Sequence, residues 1–203
     1  NGFASSSFMR ERLAAGKDVS EISEYTTPLW TDAIANAVRN GATASLERLE
    51  RVLLYKLRST SAEEISHISD VGQGLENRIY GARMSGSLEE LLFTVKTKRY
   101  TMSRIRRIML SLLIGITKND MKNLPAYGRI LAFNERGTEI LSRAKCFTKI
   151  PYSTSIAKLS QINESAERFA DLEIRASDVY GLAMETVTSA QRDYRAKIMI
   201  DME

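Results

Sequence analysis

Apolar residues recur along much of the chain at helical spacing, with short polar turns between the patterned segments. The clearest stripe, with steps of one or three positions, is Met102, Ile105, Ile108, Met109, Leu112, Leu113 and Ile116. This spacing places every member on one side of an α-helix, so the stripe predicts a buried face. Thr101 can cap the start of this helix. The same winding puts Arg104 and Arg107 on the opposite side, with Arg106 at the edge.

Shorter patterns of the same kind predict the other helices. They span residues 7–16, 30–38, 44–58, 61–66, 75–83, 88–95, 135–144, 162–175 and 178–188. Ser7 can cap the first helix and Gly16 can end it, and Ser87 can cap the helix at 88–95. Residues 17–28 and 151–155 are polar and contain proline, which predicts loops. The sequence therefore predicts a mainly α fold, a helical domain of about eight to ten helices with at most a few short strands.

One segment, residues 127–133, fits either a short strand or a helix, because periodicity cannot decide in so few residues. Residues 61–64 carry a capping-box pattern, with Glu64 three positions after Ser61. In the segment 74–79, Glu76 and Arg78 predict a structural ion pair at a helix start.

Composition excludes several classes of protein. The 203 residues are 43% apolar and 27% charged, which is ordinary for a globular domain large enough to bury a core. Cys146 is the one cysteine, so a disulfide within the chain is impossible and a site of several thiolates is excluded. The apolar run 110–116 is far shorter than the roughly 20 residues of a membrane helix. We expect a cytoplasmic protein with no membrane partner and no signal peptide.

Positive charge is concentrated in one segment, residues 91–119. It carries seven basic side chains and no acidic one, whereas acidic residues outnumber basic residues in the rest of the chain. The seven are Lys96, Lys98, Arg99, Arg104, Arg106, Arg107 and Lys118. Such a concentration favours a polyanion as partner, nucleic acid first, although it also fits a solvated helix face. Tyr100 can stack on an unpaired base or, alternatively, pack against the apolar stripe.

The sequence lacks the residues that a catalytic triad, a phosphate loop or a metal site requires. His67 is the only histidine, nothing near it suggests a catalytic triad, and we expect it to be structural or at the surface. Gly72-Gln73-Gly74 is too short for a phosphate loop and lacks the preceding strand. Metal ligands do not cluster in the sequence. We therefore expect neither a catalytic residue nor a metal site in this chain.

A phosphate-binding pattern lies near the N-terminus. Ser5, Ser6 and Ser7 stand at a predicted helix start, and Arg10 lies on its first turn. Hydroxyls, free backbone N–H groups and the positive end of a helix together suit a phosphate, and an arginine can add a bidentate contact. The alternative is a plain serine cap beside a surface arginine.

This segment resembles the second signature of the HxGH nucleotidyltransferase superfamily, usually written I-S-S-T-x-x-R. Ala4 replaces the isoleucine, and Ser7 replaces the threonine while keeping a hydroxyl. Further segments resemble, in this order, the C-terminal half of the bacterial tRNA(Met) cytidine acetate ligases: 56–58, 74–79, 97–107 and 129–137. The resemblance covers nearly the whole chain and is weakest after Pro151. The first signature of the superfamily is absent and the chain begins with Asn1, so we expect a C-terminal portion that is inactive alone.

The resemblance implies an enzyme that activates acetate with ATP as acetyl-adenylate and acetylates N4 of the wobble cytidine of elongator tRNA(Met). Its partners would be tRNA, ATP and acetate, with Mg²⁺ as an optional companion of ATP. Residues 1–28 would be the tail of the nucleotidyltransferase domain, and 29–203 an α-helical tRNA-binding domain. Binding of ATP phosphates transfers to Ser5, Ser6, Ser7 and Arg10.

The tRNA-binding candidates are chosen by charge rather than by a family motif. They are Lys96, Lys98, Arg99, Tyr100, Arg104, Arg106 and Arg107. The alternative function is a non-enzymatic α-helical module that binds RNA or another protein.

Overall fold

The computed structural model describes residues 5–14 and 18–201, most of which form helices. The α-helices are α1 (Ser6–Ala14), α2 (Pro28–Arg39), α3 (Glu50–Arg58), α4 (Ala62–His67), α5 (Leu75–Gly81), α6 (Leu88–Val95), α7 (Met102–Ile114), α8 (Glu135–Phe147), α9 (Ile156–Leu159), α10 (Glu164–Ala183) and α11 (Arg192–Arg195). Short 3-10 helices span Val19–Tyr25, Glu47–Leu49, Ala82–Met84 and Asp120–Lys122. Ala4 and the predicted helix end at Gly16 lie outside the described residues.

The larger core surrounds α7, and the apolar stripe faces it as predicted. Ile105, Ile108, Met109 and Leu112 are at most 2% exposed and pack with buried residues of α3, α4, α5 and α6. The Thr101 side chain accepts a hydrogen bond from the Arg104 backbone N–H, as a helix cap does. Because the stripe is buried, the polar side of α7 is fixed toward the surface.

Side-chain caps set several helix starts where the sequence predicts them. Ser61 Oγ accepts from the Glu64 N–H at 3.1 Å, and the Glu64 carboxylate accepts from the Ser61 N–H at 2.7 Å. This reciprocal pair is the predicted capping box of α4. Ser87 caps α6 by accepting from the Glu90 N–H. These bonds satisfy N–H groups that a helix start otherwise leaves free.

Several local predictions are wrong. Residues 151–155, predicted as a loop, contain the two-residue strand Tyr152–Ser153. Residues 17–28, predicted as a loop, contain the 3-10 helix Val19–Tyr25, since Asp18 caps it and Ile22 is fully buried. The two helices predicted at 162–175 and 178–188 are one helix, α10, which Asn163 caps.

The expected fold class is also wrong. The described residues hold eleven α-helices rather than eight to ten, and their strands pair as two parallel two-stranded sheets. Strand β1 (Gly128–Arg129) pairs with β3 (Tyr152–Ser153), and β2 (Ala132–Asn134) pairs with β4 (Met199–Asp201). Helix α8 lies between β1 and β3 in the chain, so residues 128–153 form a strand–helix–strand crossover. Residues 127–133, left open between strand and helix, hold β1 and the start of β2.

The end of α10 is tied back to the loop after α2. Gly41 has φ +62°, and its carbonyl accepts from the Thr186 N–H at 2.9 Å. Beside it, Ala44 and Met184 form an antiparallel bridge. A Cβ on Gly41 would lie 2.3 Å from Thr186 Oγ1, so this close approach requires glycine.

A second, smaller core lies under α10. Its buried members are Tyr127, Ile156, Leu159, Ala166 and Ala170. Because α10 also contacts α7 and the 3-10 helix Glu47–Leu49, it joins this core to the larger one. Within the described residues, no helix is both long and apolar enough to cross a membrane.

Candidate nucleic-acid interface

A short loop between α4 and α5 organises the basic segment. We call residues 70–74 the Asp70 loop. Asp70, Gln73 and Gly74 all have left-handed backbone conformations, with φ of +65°, +60° and +83°. Left-handed φ is uncommon for residues other than glycine, so the surrounding fold must hold this loop in place.

Two arginines of α7 converge on the first residue of this loop. Arg104 donates two hydrogen bonds to the Asp70 carbonyl, from Nη2 at 2.7 Å and from Nε at 3.2 Å. Arg107 donates to the Asp70 carboxylate from Nε and Nη2, both at 3.0 Å. One residue therefore orients two cations that lie one helical turn apart.

Gln73 supports the neighbouring turn. Its side-chain oxygen accepts a hydrogen bond from Arg99, and its backbone carbonyl accepts from the Tyr100 hydroxyl at 3.3 Å. The Tyr100 ring lies beneath two guanidinium groups, 5.8 Å from that of Arg99 and 5.4 Å from that of Arg104. We define Arg99, Arg104 and Arg107 as the arginine cluster.

Tyr100 does not offer a face on which a base could stack. It is 7% exposed and belongs to the larger core, so the alternative interpretation, packing beside the α7 stripe, describes its position. Its ring supports the arginine cluster from below. On α6, earlier in the chain, Phe93 is 58% exposed and has the Lys96 ammonium 5.8 Å from its ring centre.

The other basic residues of the segment 91–119 are not members of the arginine cluster. Lys98 and Arg106 are exposed and make no ion pair with any described residue. Lys118 lies beyond the far end of α7, where its backbone N–H donates to the His67 carbonyl at 2.9 Å. The structure thus brings together Arg99, Arg104 and Arg107 but separates Lys118 from them. His67 is exposed, as expected for a surface residue.

The expected ion pair between Glu76 and Arg78 does not form. Arg78 instead donates to backbone carbonyls at the end of α6, with Nε 2.9 Å from the Val95 oxygen and Nη2 bonded to the Thr94 oxygen. A cation at this position satisfies free carbonyls and the negative end of the helix. Arg78 thereby fixes the start of the turn that carries Lys96.

The N-terminal serines stand at the start of α1, which begins at Ser6. Ser5, rather than Ser7, caps the helix, since its Oγ accepts from the Phe8 N–H at 3.2 Å. Arg10 Nη2 donates to Ser7 Oγ at 3.4 Å. Ser6, Ser7 and Arg10 are exposed at one end of a nine-residue helix. Hydroxyls, a guanidinium and helix N–H groups therefore lie together, as phosphate binding needs.

The smaller core contains a second set of partnered polar groups. The Tyr127 hydroxyl donates to Glu173 at 2.7 Å, and burial together with this carboxylate raises the pKa of the phenol. Arg129 forms an ion pair with Asp193. These pairs join β1 and the residue before it to α10 and α11, which indicates a structural role. Among the described residues, no His, Cys, Asp or Glu side chains cluster in a way that could hold a metal ion.

Sequence reasoning missed Asp70 and Gln73 as the residues that orient this surface. Asp70 is 34 positions from Arg104, and nothing in the local pattern shows that they meet. The adjacent glycines at 72 and 74 signal a turn but not its partner.

The sequence of this chain is similar to those of known proteins. A model of the HIGH nucleotidyl transferase family matches residues 1–195. A tRNA(Met) cytidine acetate ligase of Thermoanaerobacter pseudethanolicus is 34% identical over 196 residues, which is 95% of this chain and 48% of that protein. One from Alkaliphilus metalliredigens is 38% identical over 153 residues, covering 72% and 36%. The chain spans about half the length of such relatives or less.

A solved structure has the same fold. The crystal structure of Thermotoga maritima TmcAL bound with alpha-thio ATP superposes with a TM-score of 0.89 at 25% identity. The superposition covers 98% of this chain and 52% of that one. The resemblance found in the sequence is therefore confirmed.

Proposed function

The chain belongs to the HIGH nucleotidyl transferase family, and from this premise we propose that it forms part of a tRNA(Met) cytidine acetate ligase. The observation that carries the proposal is its 34% identity, over 95% of its length, to a relative of that name. The reaction proposed is that of a complete enzyme, since the chain corresponds to about half of such relatives. Residues 29–203 would bind the tRNA, and residues 1–28 would belong to the ATP-binding part.

The proposed chemistry has two steps. An acetate oxygen attacks the α-phosphorus of ATP, pyrophosphate leaves, and acetyl-adenylate forms. N4 of the wobble cytidine then attacks the acetyl carbon, AMP leaves, and the nitrogen loses a proton. Cations near the phosphates stabilise the charge that develops on the leaving groups.

On this chain, Ser5, Ser6, Ser7 and Arg10 would bind ATP phosphates. Support comes from their position at one helix end and from the ATP analogue bound by the similar Thermotoga maritima protein. Mg²⁺ would accompany the triphosphate rather than occupy a site built by these residues.

The arginine cluster, with Lys96, Lys98 and Arg106, would contact the tRNA backbone. Arg99 and Arg104 are bound to neutral oxygens, so their charge remains available to a phosphate. Phosphate contacts position an RNA without reading its sequence. The wobble cytidine lies in an anticodon loop, where unpaired bases are open to recognition.

Binding of elongator tRNA(Met) at several salt concentrations tests the tRNA part of this proposal. We expect affinity to fall as salt rises, with a log–log slope of roughly −0.7 to −0.9 for each phosphate contacted. The double reversal of Arg104→Glu and Arg107→Glu should weaken binding at least tenfold and flatten that slope. Arg136→Glu with Arg143→Glu, on exposed positions of α8, is the matched control with the same charge change. Unchanged affinity in the α7 double variant would reject the surface.

Enzymatic assay tests the ATP part. Arg10→Ala in a complete enzyme carrying this segment should raise the KM for ATP and leave tRNA binding unchanged. Arg39→Ala, at the end of α2, is a control at another exposed arginine. The chain itself, mixed with ATP, acetate and tRNA, should give no acetylcytidine. Turnover by the chain alone would contradict this division of roles.

A further inference from the structure

We propose that Asp70 is a resident counter-ion of the RNA surface: its carboxylate holds Arg107 in the free protein, and a phosphate of bound RNA takes its place. The inference rests on the proposed tRNA binding and adds a group that opposes it. Asp70 thereby lowers affinity for RNA in general, while keeping the arginines in a geometry that suits a phosphate.

The backbone of Asp70 argues that its position is built into the fold. Its φ of +65° is a conformation that Asp, Asn and Gly tolerate better than other residues. The two bonds from Arg104 to its carbonyl hold this conformation, and the preceding Ser69 N–H donates to the Ile116 carbonyl at 3.0 Å. Hydrogen bonds with the start of α7 and with Ile116, just beyond its end, therefore hold the loop. The Asp70 side chain is directed at Arg107.

The acceptors around the arginine cluster differ in charge. Arg104 is held by a backbone carbonyl and Arg99 by an amide oxygen, so both are oriented without losing charge. Within the part of the chain that the structure describes, Arg107 is the one member of this cluster that is paired with a carboxylate. If the loop served only to hold α7, a neutral acceptor would serve at Arg107 as it does at the other two.

The pair between Asp70 and Arg107 is open to exchange. Their side chains are 44% and 63% exposed, and ion pairs at such exposure are weak because water and salt screen them. A phosphate offers several oxygens to a guanidinium and is released from its own counter-ions on binding. Arg104 and Arg107, already turned toward one point, can then contact that phosphate together.

Substitution of Asp70 tests the inference, because loss of an acidic residue should here strengthen binding. Asp70→Asn keeps the side-chain shape and tolerates the left-handed backbone, and Asp70→Gly does so without a side chain. In both variants we expect the Kd for tRNA(Met) to fall about 3- to 10-fold near 0.1 M salt. The log–log salt slope should steepen by up to about 0.7 to 0.9, because the carboxylate displaced in the wild type takes up a cation again and the variants have no such carboxylate.

Asp171→Asn is the matched control. Asp171 also pairs with arginines, the half-buried Arg168 and the exposed Arg175, but it lies on α10 near the opposite end of α7. This substitution removes one negative charge, as Asp70→Asn does, but it lies away from the arginine cluster. We therefore expect it to change the Kd less than twofold. Thermal unfolding of each variant checks that the fold is retained.

The outcomes separate this inference from the proposed function. Unchanged or weaker binding by both folded Asp70 variants would overturn the counter-ion role, even if the wild-type chain binds tRNA with the expected salt dependence. An equal gain in Asp171→Asn would overturn it as well, since the effect would then be one of net charge. If the wild-type chain showed no salt-dependent binding, the proposed tRNA surface itself would fail.

Discussion

The hydroxyl of Tyr100 joins two segments that are distant in sequence. It donates to the Gln73 carbonyl, and its ring supports Arg99 and Arg104. The residue thus links the Asp70 loop to the start of α7 from within the core. Its contribution to RNA binding would be indirect, through the position of the arginines.

Tyr100→Phe should destabilise the fold modestly. The change removes one part-buried hydrogen bond and keeps the ring, so we expect a loss of about 0.5–1.5 kcal/mol in the free energy of unfolding. Urea denaturation measures it. Tyr55→Phe is the control, since Tyr55 is 73% exposed and should change stability by less than about 0.5 kcal/mol. Equal losses in both variants would show that the Tyr100 hydroxyl bond contributes nothing.

Two glycine-to-alanine substitutions should change the free energy of unfolding in opposite directions. Gly41→Ala places a methyl 2.3 Å from Thr186 Oγ1 at a left-handed φ, which should cost at least about 1–2 kcal/mol. Gly81→Ala lies in α5 with open space around its Cβ and should stabilise by about 0.5–1 kcal/mol. We expect the melting temperature of Gly41→Ala to lie below that of the wild type and that of Gly81→Ala to lie above it. A stabilising Gly41→Ala would contradict the close approach to Thr186.

Sequence alone predicts residues whose partners are local. Ser61 with Glu64, Ser87 and Thr101 were all identified as caps, because a cap bonds within three positions of itself. Asp70 was not identified, since its partners lie 34 and 37 positions away. For the same reason Tyr100 remained open between a stacking and a packing role.

At the scale of elements, the C-terminal end of α7 is anchored to α10. Gly115 ends α7 in a left-handed conformation, and its carbonyl accepts from Arg168 Nη2 at 2.7 Å. Arg168 also donates to the Asp120 carboxylate from Nε and Nη2, both at 2.9 Å. The Thr117 N–H and hydroxyl donate to the same carboxylate, at 2.8 and 2.7 Å. One acid thus closes the turn after α7 and holds α10 beside it.

Because of this anchor, the free energy of unfolding should decrease as the pH becomes acidic. The Arg168 guanidinium, opposed in part by burial and aided by Thr117, holds the pKa of Asp120 well below its usual range. Near pH 4 the unfolded carboxyl takes up a proton that the folded one does not, so the stabilisation is present above that pH. It is lost as pH falls toward the folded pKa. Urea midpoints measured between pH 6 and 2 should follow this course.

Asp120→Asn should remove part of that pH dependence. We expect the variant to lose about 1–3 kcal/mol at pH 7, because Arg168 keeps its position but loses its anionic partner. Below pH 3 the difference from the wild type should shrink. Asp32→Asn, on the exposed surface of α2, is the control and should leave the curve unchanged. A constant difference across the whole pH range would rule out the linkage to Asp120.

Elements with a strong apolar period are predictable, and short ones are not. Helix α7 is confirmed because its stripe spans the whole element, and α6 because Ser87 marks its start. Strands β1 and β3 have two residues each, too few for any period. Their pairing also depends on a partner 24 positions away, so local pattern could not reveal the parallel sheets.

At the scale of the whole molecule, the arginine cluster and α8 are two surfaces with exposed basic side chains, and on α8 the exposed Glu135 and Glu139 offset part of that charge. Helix α8 carries exposed Arg136, Arg143 and Lys145, together with Ile140, which is 66% exposed. Charge alone does not choose between the two surfaces. The oriented guanidinium groups beside the Asp70 loop favour the first, because fixed donors lose less freedom on binding.

Hydrogen–deuterium exchange can locate the surface that tRNA occupies. With tRNA bound, we expect slower exchange in residues 70–74 and 96–101, whose amides lie in loops of the proposed interface. Exchange in α8 should stay within error of the free chain. Protection of α8 without protection of the two loops would place the RNA elsewhere. The variant with Arg104→Glu and Arg107→Glu should lose the protection at both loops.

The family was recognisable from sequence because ordered motifs span the chain, whereas the overall architecture was not. Both parallel pairings and the tie between Gly41 and Thr186 join segments far apart in sequence. Helical periodicity reports which side of an element is buried but not which element covers it. The count and packing of elements therefore had to come from the structure.

The pairing of β2 with β4 has a consequence for how the protein is made. The larger core draws nearly all its buried members from residues 49–112, with Ala183 as the exception, so a nascent polypeptide can assemble most of it early. Strand β2 must wait for residues 199–201 to leave the ribosome before its edge is satisfied. During that interval residues 132–134 present free backbone groups. Because this edge has only three residues, its exposure to other chains during translation is small.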